Sequence, residues 1–449
     1  MKSKPNTDLS ANALRNMLLD ARARTLDLVH DLEDNQLMGP RLAIINPFLW
    51  EIGHIAWFQE NWIVRHYGGE ALTRDDADSL YDSMKVAHDT RWDLPLPSRA
   101  ETLAYMEAVL ERVLARITNP VDPNLAYFVQ LCVFHEDMHD EAFTYTRQTL
   151  NYPAPRLRID TTASDSSENL AVRDPQAGAG PVPGDVEVPG GTLLLGADPE
   201  GRSFVFDNEK WGHPVPVEPF RIARAPVTNV EFAALVEDRG YEREELWSKE
   251  GWAWRNGVGA RHPVYWRQAD AGSWERREFD RWVPLGDHLP VIHVNWYEAD
   301  AWCRWAGRRL PTEPEVEAVA CIGDDSIQPE TAKRRFPWGD AAPTPEHANL
   351  DGLRLGVVEV GAFPSGDCSR GSRGLTGNVW EWTQTPFAPY PGFVPDPYKD
   401  YSQPWFDGKH MVLRGGSWPT RSRLLRNTWR NFYPRDRRDV FAGFRTCAR

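Results

Sequence analysis

Two histidines four residues apart are the sharpest chemical signal in this chain. They are His135 and His139 in HEDMHDE, followed by Glu141. On an α-helix, residues i and i+4 share a face with Cβ atoms about 5–6 Å apart, so two imidazoles so placed can hold one metal ion. A third ligand must come from elsewhere. His54, in WEIGHIAWFQE, lies on a different predicted helix, and helix bundles assemble metal sites from facing helices. The plainer readings are a solvated His-x3-His pair and a hydrogen-bonded core histidine. HEDMH also matches HExxH formally, with Glu136 in the glutamate position, but the third histidine lies upstream rather than downstream. Three neutral imidazoles with open positions suit Fe(II) and O2 chemistry as well as zinc, and the spacing leaves both metals open.

The first 150 residues carry the pattern that would position these ligands. Leu14, Leu18, Ala21, Thr25, Leu28 and Leu32 recur at helical steps, with Ser10 as a cap. Further helices are predicted over 47–67, 100–117 and 124–151, which makes a four-helix bundle. Residues 152–184 turn rich in Ser, Asp, Gly and Pro and read as a linker. From 185 onward, short apolar runs alternate with turn residues. Helical stretches are expected only over 229–236, 296–306 and 313–320. The predicted organisation is a bundle over 1–151, a linker over 152–184 and an irregular α+β domain over 185–449.

The 449 residues carry a net charge of −14, which repels phosphates, so nucleic-acid binding is not expected. No run of about 18 apolar residues is present, so no transmembrane helix is expected. The N-terminus lacks a signal-peptide core. Five scattered cysteines, none in a CxxC pair, fit a reducing, cytoplasmic setting without a disulfide framework. The arginine-rich stretch 409–449 reads as a cationic patch for a small anion. Twenty tryptophans suggest aromatic plates holding irregular backbone.

Seven segments of the second domain are specific. They include VPGGTLLLGA, PVIHVNWYEADAWCRWAGRRLPTEPEVE, FPWGD, GLTGNVWEWT and LRGGSW, and together they resemble the formylglycine-generating-enzyme-like, C-type-lectin-related fold. The reactive cysteine pair of true formylglycine-generating enzymes has no counterpart near the C-terminus, so that activity is not expected. A DinB-like bundle bearing His-x3-His-x-Glu, joined to such a domain, resembles the ergothioneine-type sulfoxide synthase family. The resemblance implies an oxidoreductase using Fe(2+), with O2 as co-substrate, that couples a thiol or related donor to imidazole C2 of hercynine. It implies His54, His135 and His139 as iron ligands, with Glu141 behind them orienting an imidazole. A rival set makes Glu141 or Asp137 a carboxylate ligand. It implies Asn431 and Phe432 as acceptor contacts, Arg91 and Arg437 as a carboxylate or hydroxyl clamp, and a tyrosine proton donor, assigned to Tyr390. Trp418 and Trp429 are further candidates for aromatic walls.

This chain departs from the family pattern in three places. HEDMHDE replaces HEQQHQE, putting Met138 and Asp137 where glutamines stand, one of which contacts the acceptor. DSMKVAHDTR keeps Arg91 but has Met84 and Lys85 for a tyrosine pair. Tyr433 stands where members using γ-glutamylcysteine carry an aspartate. Burying a donor ammonium without that counter-charge costs several kcal/mol, whereas a tyrosine hydroxyl can bond a sugar hydroxyl. These segments resemble the selenoneine synthase branch, in which a selenosugar is the donor and a hercynyl selenoxide the product. The alternatives are coupling to γ-glutamylcysteine or cysteine, a zinc-dependent thiol transferase, and a non-catalytic binding module.

Overall fold

The structure is a computed structural model. It describes residues 9–158, 178–199, 201, 203–270, 272–323, 327–328 and 331–449. The chain divides into two compact units, one of residues 1–158 with 200–204, the other of 159–199 with 205–449.

The first unit is helical. Helix α1 (Ala11–Val29) begins at Ser10, whose side chain accepts from the Ala13 amide. The short α2 (Asp34–Met38) leads to α3 (Phe48–Gln59), which passes without a break into a π-helical stretch, Glu60–Tyr67. Then come α4 (Ala77–Tyr81), α5 (Arg99–Arg116) and α6 (Pro123–Thr149). Ser98 and Glu101 form a capping box on α5, and Asp122 caps α6 ahead of Pro123. All six residues of the predicted α1 stripe are buried.

Between α1, α3 and α6 the core is polar. Arg22 donates to Glu136 (3.0 Å), to Gln59 (3.1 Å) and to the Met106 carbonyl (2.8 Å), and Gln59 Nε2 donates to Glu136 (2.7 Å). The Thr25 hydroxyl lies between Glu136 (2.9 Å) and Asp140 (2.8 Å). Its one proton is shared between the two acids. Burial, reinforced by Glu136 and Asp137, pushes the Asp140 carboxyl well above its usual range.

The expected linker is tied down at both ends. Arg147 donates to the Pro153 carbonyl (2.9 Å), and Arg158 bonds Asp27 through its backbone amide (2.8 Å) and side chain (2.5 Å). In the second unit, the Gly180 amide donates to Glu359 (2.7 Å). Residues 159–177 of the expected linker lie outside the described residues.

The second unit is built from β1 (Asp185–Val188), β2 (Gly191–Leu195), β3 (His213–Val217), β4 (Phe220–Ala223), β5 (Trp266–Gln268), β6 (Trp274–Glu278), β7 (Arg281–Pro284), β8 (Arg308–Arg309), β9 (Trp380–Pro386), β10 (His410–Arg414), β11 (Asn431–Pro434), β12 (Ala442–Gly443) and β13 (Cys447–Ala448). They form sheets of order β1-β4-β13-β8, β11-β10-β9-β12, β5-β6-β7 and β2-β3. The helices are α7 (Asn229–Glu237), α8 (Lys249–Val258), α9 (Trp296–Trp305) and α10 (Glu313–Cys321). Helix α8 was not expected. Its sequence KEGWAWRNGV holds two glycines and buries little, so neither propensity nor periodicity marks it, and only the Ser248 cap on the Gly251 amide (3.0 Å) does.

The cationic-patch reading of 409–449 is corrected by the same unit. Arg414 pairs with Glu317, Arg426 with Glu209, Arg430 with Glu313 (2.7 Å), Arg437 with Asp439 (2.7 Å) and Arg445 with Glu381 (2.5 Å). Four of these guanidiniums are buried because each meets a carboxylate supplied by another part of the fold, and half-buried Arg437 is held by Asp439 two residues on. All five cysteines are buried and free of disulfides. Among the described residues no helix is long and apolar enough to cross a membrane.

Gly53 explains how α3 lies so close to α4. A Cβ there would stand 2.3 Å from the Tyr81 ring, which is itself fully buried. Alanine normally favours a helix by about 1 kcal/mol over glycine, but this overlap exceeds that gain. Gly53→Ala is therefore expected to cost about 1–3 kcal/mol in urea denaturation.

Candidate metal centre

His54 projects from α3 and His135 and His139 from α6. Their ligand nitrogens all lie within 4.8 Å of one another, and Nε2 of His135 and Nε2 of His139 are 3.2 Å apart. Two nitrogens bound at right angles to one ion, at a metal–imidazole distance of about 2.0–2.1 Å, stand about 3 Å apart. Among the described residues this trio is the group of His, Cys, Asp or Glu side chains that converges in this way; Asp137 and Glu141 do not belong to it.

The backbone and one carboxylate decide which nitrogens face inward. His54 Nδ1 lies 2.8 Å from the Tyr81 carbonyl. A carbonyl only accepts, so Nδ1 carries the proton and Nε2 keeps its lone pair. His139 Nδ1 donates to Glu51 Oε1 at 2.6 Å, and its Nε2 faces that of His135. Outer hydrogen bonds of this kind hold an imidazole in the tautomer and orientation that a metal needs. Aromatic walls flank two of the three rings. His135 stacks on Phe58 at 3.6 Å and 3°, and His54 lies parallel to Trp50 at 4.9 Å and 9°. Burial, and then the charge of the neighbouring imidazoles, holds His54 and His135 well below the usual histidine range. They are neutral at pH 7, which metal ligation requires. The donor set therefore fits a divalent transition metal.

Glu51 was missed by sequence reasoning. The signal was its place three residues before His54, one helical turn away on α3. Glu141, to which the resemblance assigns an orienting role, is buried on α6; Glu51 is a carboxylate found on a ligand imidazole. Glu136, the formal zincin glutamate, turns from the trio into the Arg22–Gln59–Thr25 network. Met138 is half-buried on α6.

Arg91 lies close to this trio. Its guanidinium stands 3.9 Å over the Trp50 ring, and Nη1 donates to Asn46 Oδ1 at 2.6 Å. Burial lowers its pKa to about 10. The remaining candidates lie in the second unit. Asn431, Phe432 and Tyr433 follow one another on β11, with the Phe432 ring stacked on Phe387 at 4.0 Å. Arg437 is 5.2 Å from the Tyr433 ring and is held by both oxygens of Asp439. Tyr390 is buried, donates to Glu313 (3.2 Å) and lies under Arg430 at 4.1 Å; burial raises its phenol well above the usual range. Trp418 and Trp429 are buried.

Two family descriptions match the chain: the DinB superfamily over residues 17–142, and the sulfatase-modifying factor enzyme 1-like domain over residues 171–449. A protein of Mycolicibacterium thermoresistibile named hercynine oxygenase is 38% identical over 450 residues, covering 96% of this chain and 94% of its own. A hercynine oxygenase of Mycobacterium tuberculosis is 37% identical, covering 95% and 96%. The chain belongs to the ergothioneine-type sulfoxide synthase family. It is an oxidoreductase, as the near-full-length match to these relatives establishes. A formylglycine-generating enzyme of Streptomyces coelicolor is 34% identical but covers only 56% of this chain, so what this synthase shares with it is the second unit.

Two outcomes follow. In the unfolded chain His54 and His135 titrate near 6.5, and in the folded chain well below. Below pH 6.5 the unfolded state thus binds more protons, and metal-free protein is expected to lose stability as pH falls from about 6.5. Urea midpoints across pH 5–8 check this, and His135→Leu should flatten the slope. Second, Glu136→Leu strands the buried Arg22 and is expected to cost about 3–5 kcal/mol while calorimetry still finds metal bound; a zincin-type base would instead be dispensable for stability.

Proposed function

We propose that this synthase is a non-haem Fe(II) enzyme that uses O2 to join a selenosugar, a 1-seleno-glucose, to imidazole C2 of hercynine. The reaction balances as selenol plus hercynine plus O2 giving hercynyl selenoxide plus water. The C–H and Se–H bonds break, C–Se and Se=O bonds form, and O2 takes up four electrons. The observation that carries the reading is the converging trio of imidazoles, in a chain whose near-full-length relatives are named hercynine oxygenases. Bound by His54, His135 and His139, ferrous iron would supply the redox chemistry and open coordination positions.

The chain's own residues do the rest. Tyr81 and Glu51 hold the ligand rings in register. Arg91 offers a guanidinium edge to a carboxylate or hydroxyl group. Asn431 and Phe432 are assigned to the acceptor, whose quaternary ammonium favours an aromatic face. Tyr433 and Arg437 are assigned to the donor. Tyr433 supports a sugar over an amino-acid head, because a phenol can bond a hydroxyl but cannot neutralise an ammonium group. Tyr390, whose phenol keeps its proton at neutral pH, is assigned as proton donor.

The test is a competition. Iron-loaded protein receives hercynine with 1-seleno-glucose, γ-glutamylcysteine or cysteine, with products read by mass spectrometry and O2 uptake by electrode. Conversion of 1-seleno-glucose is expected to exceed that of either thiol by at least tenfold. Exclusive use of γ-glutamylcysteine overturns the donor assignment but leaves the hercynine reading. Tightly bound zinc with no O2 uptake replaces both with a thiol transferase. His135→Ala is expected to abolish O2 uptake; unchanged uptake removes the trio from the account.

A further inference from the structure

Ser402 is fully buried between two side chains of one short segment, 207–208. Its hydroxyl donates to Asp207 Oδ1 at 2.5 Å and accepts from Asn208 Nδ2 at 3.0 Å. The other Asp207 oxygen accepts from the Asp396 amide at 3.4 Å. The Asp396 carboxylate is held in turn by Lys210 Nζ at 2.6 and 2.7 Å. Residues 396–402 are thus gripped at both ends. The grip is braced from behind, where Arg430 Nη1 donates to the Asn208 carbonyl at 2.8 Å.

What the grip holds is aromatic. Tyr401 stacks on Phe206 at 4.3 Å and 24°, and turns an edge to Phe432 at 6.1 Å and 72°. Trp405, three residues past Ser402, lies 6.4 Å from Phe432 and is 42% exposed. An indole so exposed has little core of its own to fix it, so its place depends on the buried polar contacts that precede it.

We propose that Asp207 is a positioning residue for the acceptor, which through Ser402 latches residues 396–405 so that Tyr401 and Trp405 stand against Phe432. This deepens the assignment of Phe432 to hercynine and rests on it. A quaternary ammonium group binds best to aromatic faces that are already in place, because no ordering cost is then left for the binding step. The latch also carries a pH dependence. Burial pushes the Asp207 carboxyl up to about 6. The Ser402 hydroxyl, the Asp396 amide and the Lys210 charge favour its ionised form, while the Asp396 charge opposes it. Tyr401 also faces it, and neighbouring Glu209 is paired with Arg426. A solvated aspartate titrates at about 3.9. Between these values the latched state holds the extra proton, so the latch weakens as pH rises through 6. The protonated carboxyl still bonds Ser402, with Asp207 then donating.

The experiment uses full-length iron-loaded protein kept anaerobic. Hercynine affinity is read by calorimetry, and opening of residues 396–405 by hydrogen exchange corrected for intrinsic rates. From pH 5 to 7 exchange of this segment is expected to rise up to about tenfold in the wild type. Asp207→Asn keeps an acceptor for Ser402 without the charge, so its exchange should stay low and flat with pH, and its hercynine affinity should match or exceed that of the wild type. Asp207→Ala should exchange fast at every pH and bind hercynine about tenfold more weakly at pH 7. In air, its kcat at saturating hercynine should change less than twofold. Trp405→Ala should weaken hercynine with an unchanged urea midpoint.

Wild-type hercynine affinity in Asp207→Ala overturns the proposal. So does an equal pH slope of exchange in wild type and Asp207→Asn, or a loss of urea midpoint and kcat as large in Asp207→Asn as in Asp207→Ala, which would mark a merely structural carboxylate. Failure of the acceptor reading looks different: Phe432→Ala would then bind hercynine as the wild type does, and the positioning role falls with it although exchange still follows Asp207.

Discussion

Two hydrogen bonds govern the chemistry available to the first unit. The Tyr81 carbonyl and the Glu51 carboxylate each accept from an Nδ1, and in doing so they turn the Nε2 atoms of His54 and His139 towards His135. Imidazoles held in this way are oriented as ligands of one cation. Local details of the chain follow from these bonds. Gly53 lets α3 approach Tyr81, Trp50 and Phe58 clamp the imidazoles from the side, and the capped start of α6 sets the phase of its four-residue histidine step.

Within each unit, buried charges among the described residues meet in closed pairs. In the bundle, Arg22 and Glu136 are joined by Gln59 and Thr25. In the second unit, Glu313 and Glu317 of α10 meet Arg430 and Arg414 from the arginine-rich C-terminal stretch. Such pairs add little net stability, but each becomes costly when one partner is lost. They set register between segments far apart in sequence. This is why a stretch that looks like a surface for anions is largely an internal framework.

Much of this was legible in the sequence, for identifiable reasons. The α1 stripe and the cap at Ser10 are local signals, as are the turns between helices, so the starts of the long helices were placed to within about two residues. The His-x3-His step is likewise local, and it named two members of the trio. His54 was a candidate only as a histidine on another predicted helix, and the resemblance added to it, because its convergence with α6 is tertiary. Glu51 was missed because a carboxylate one turn before a histidine has many ordinary uses in a helix. Helix α8 was missed because its two glycines lower its helix propensity and it buries little. The pairing of the C-terminal arginines was illegible because each acid partner except Asp439 and Glu381 lies about a hundred residues or more upstream. Charge patterning counts residues along the chain and cannot see burial.

X-ray absorption at the iron edge of anaerobically reconstituted protein, without substrate, reads the trio itself. The account predicts an inner shell of light nitrogen or oxygen atoms, with multiple scattering from three imidazole rings that drops to two in His54→Ala. Scattering from two rings in the unmodified protein, unchanged by His54→Ala, would show that α3 contributes no ligand and would refute a centre built from both helices.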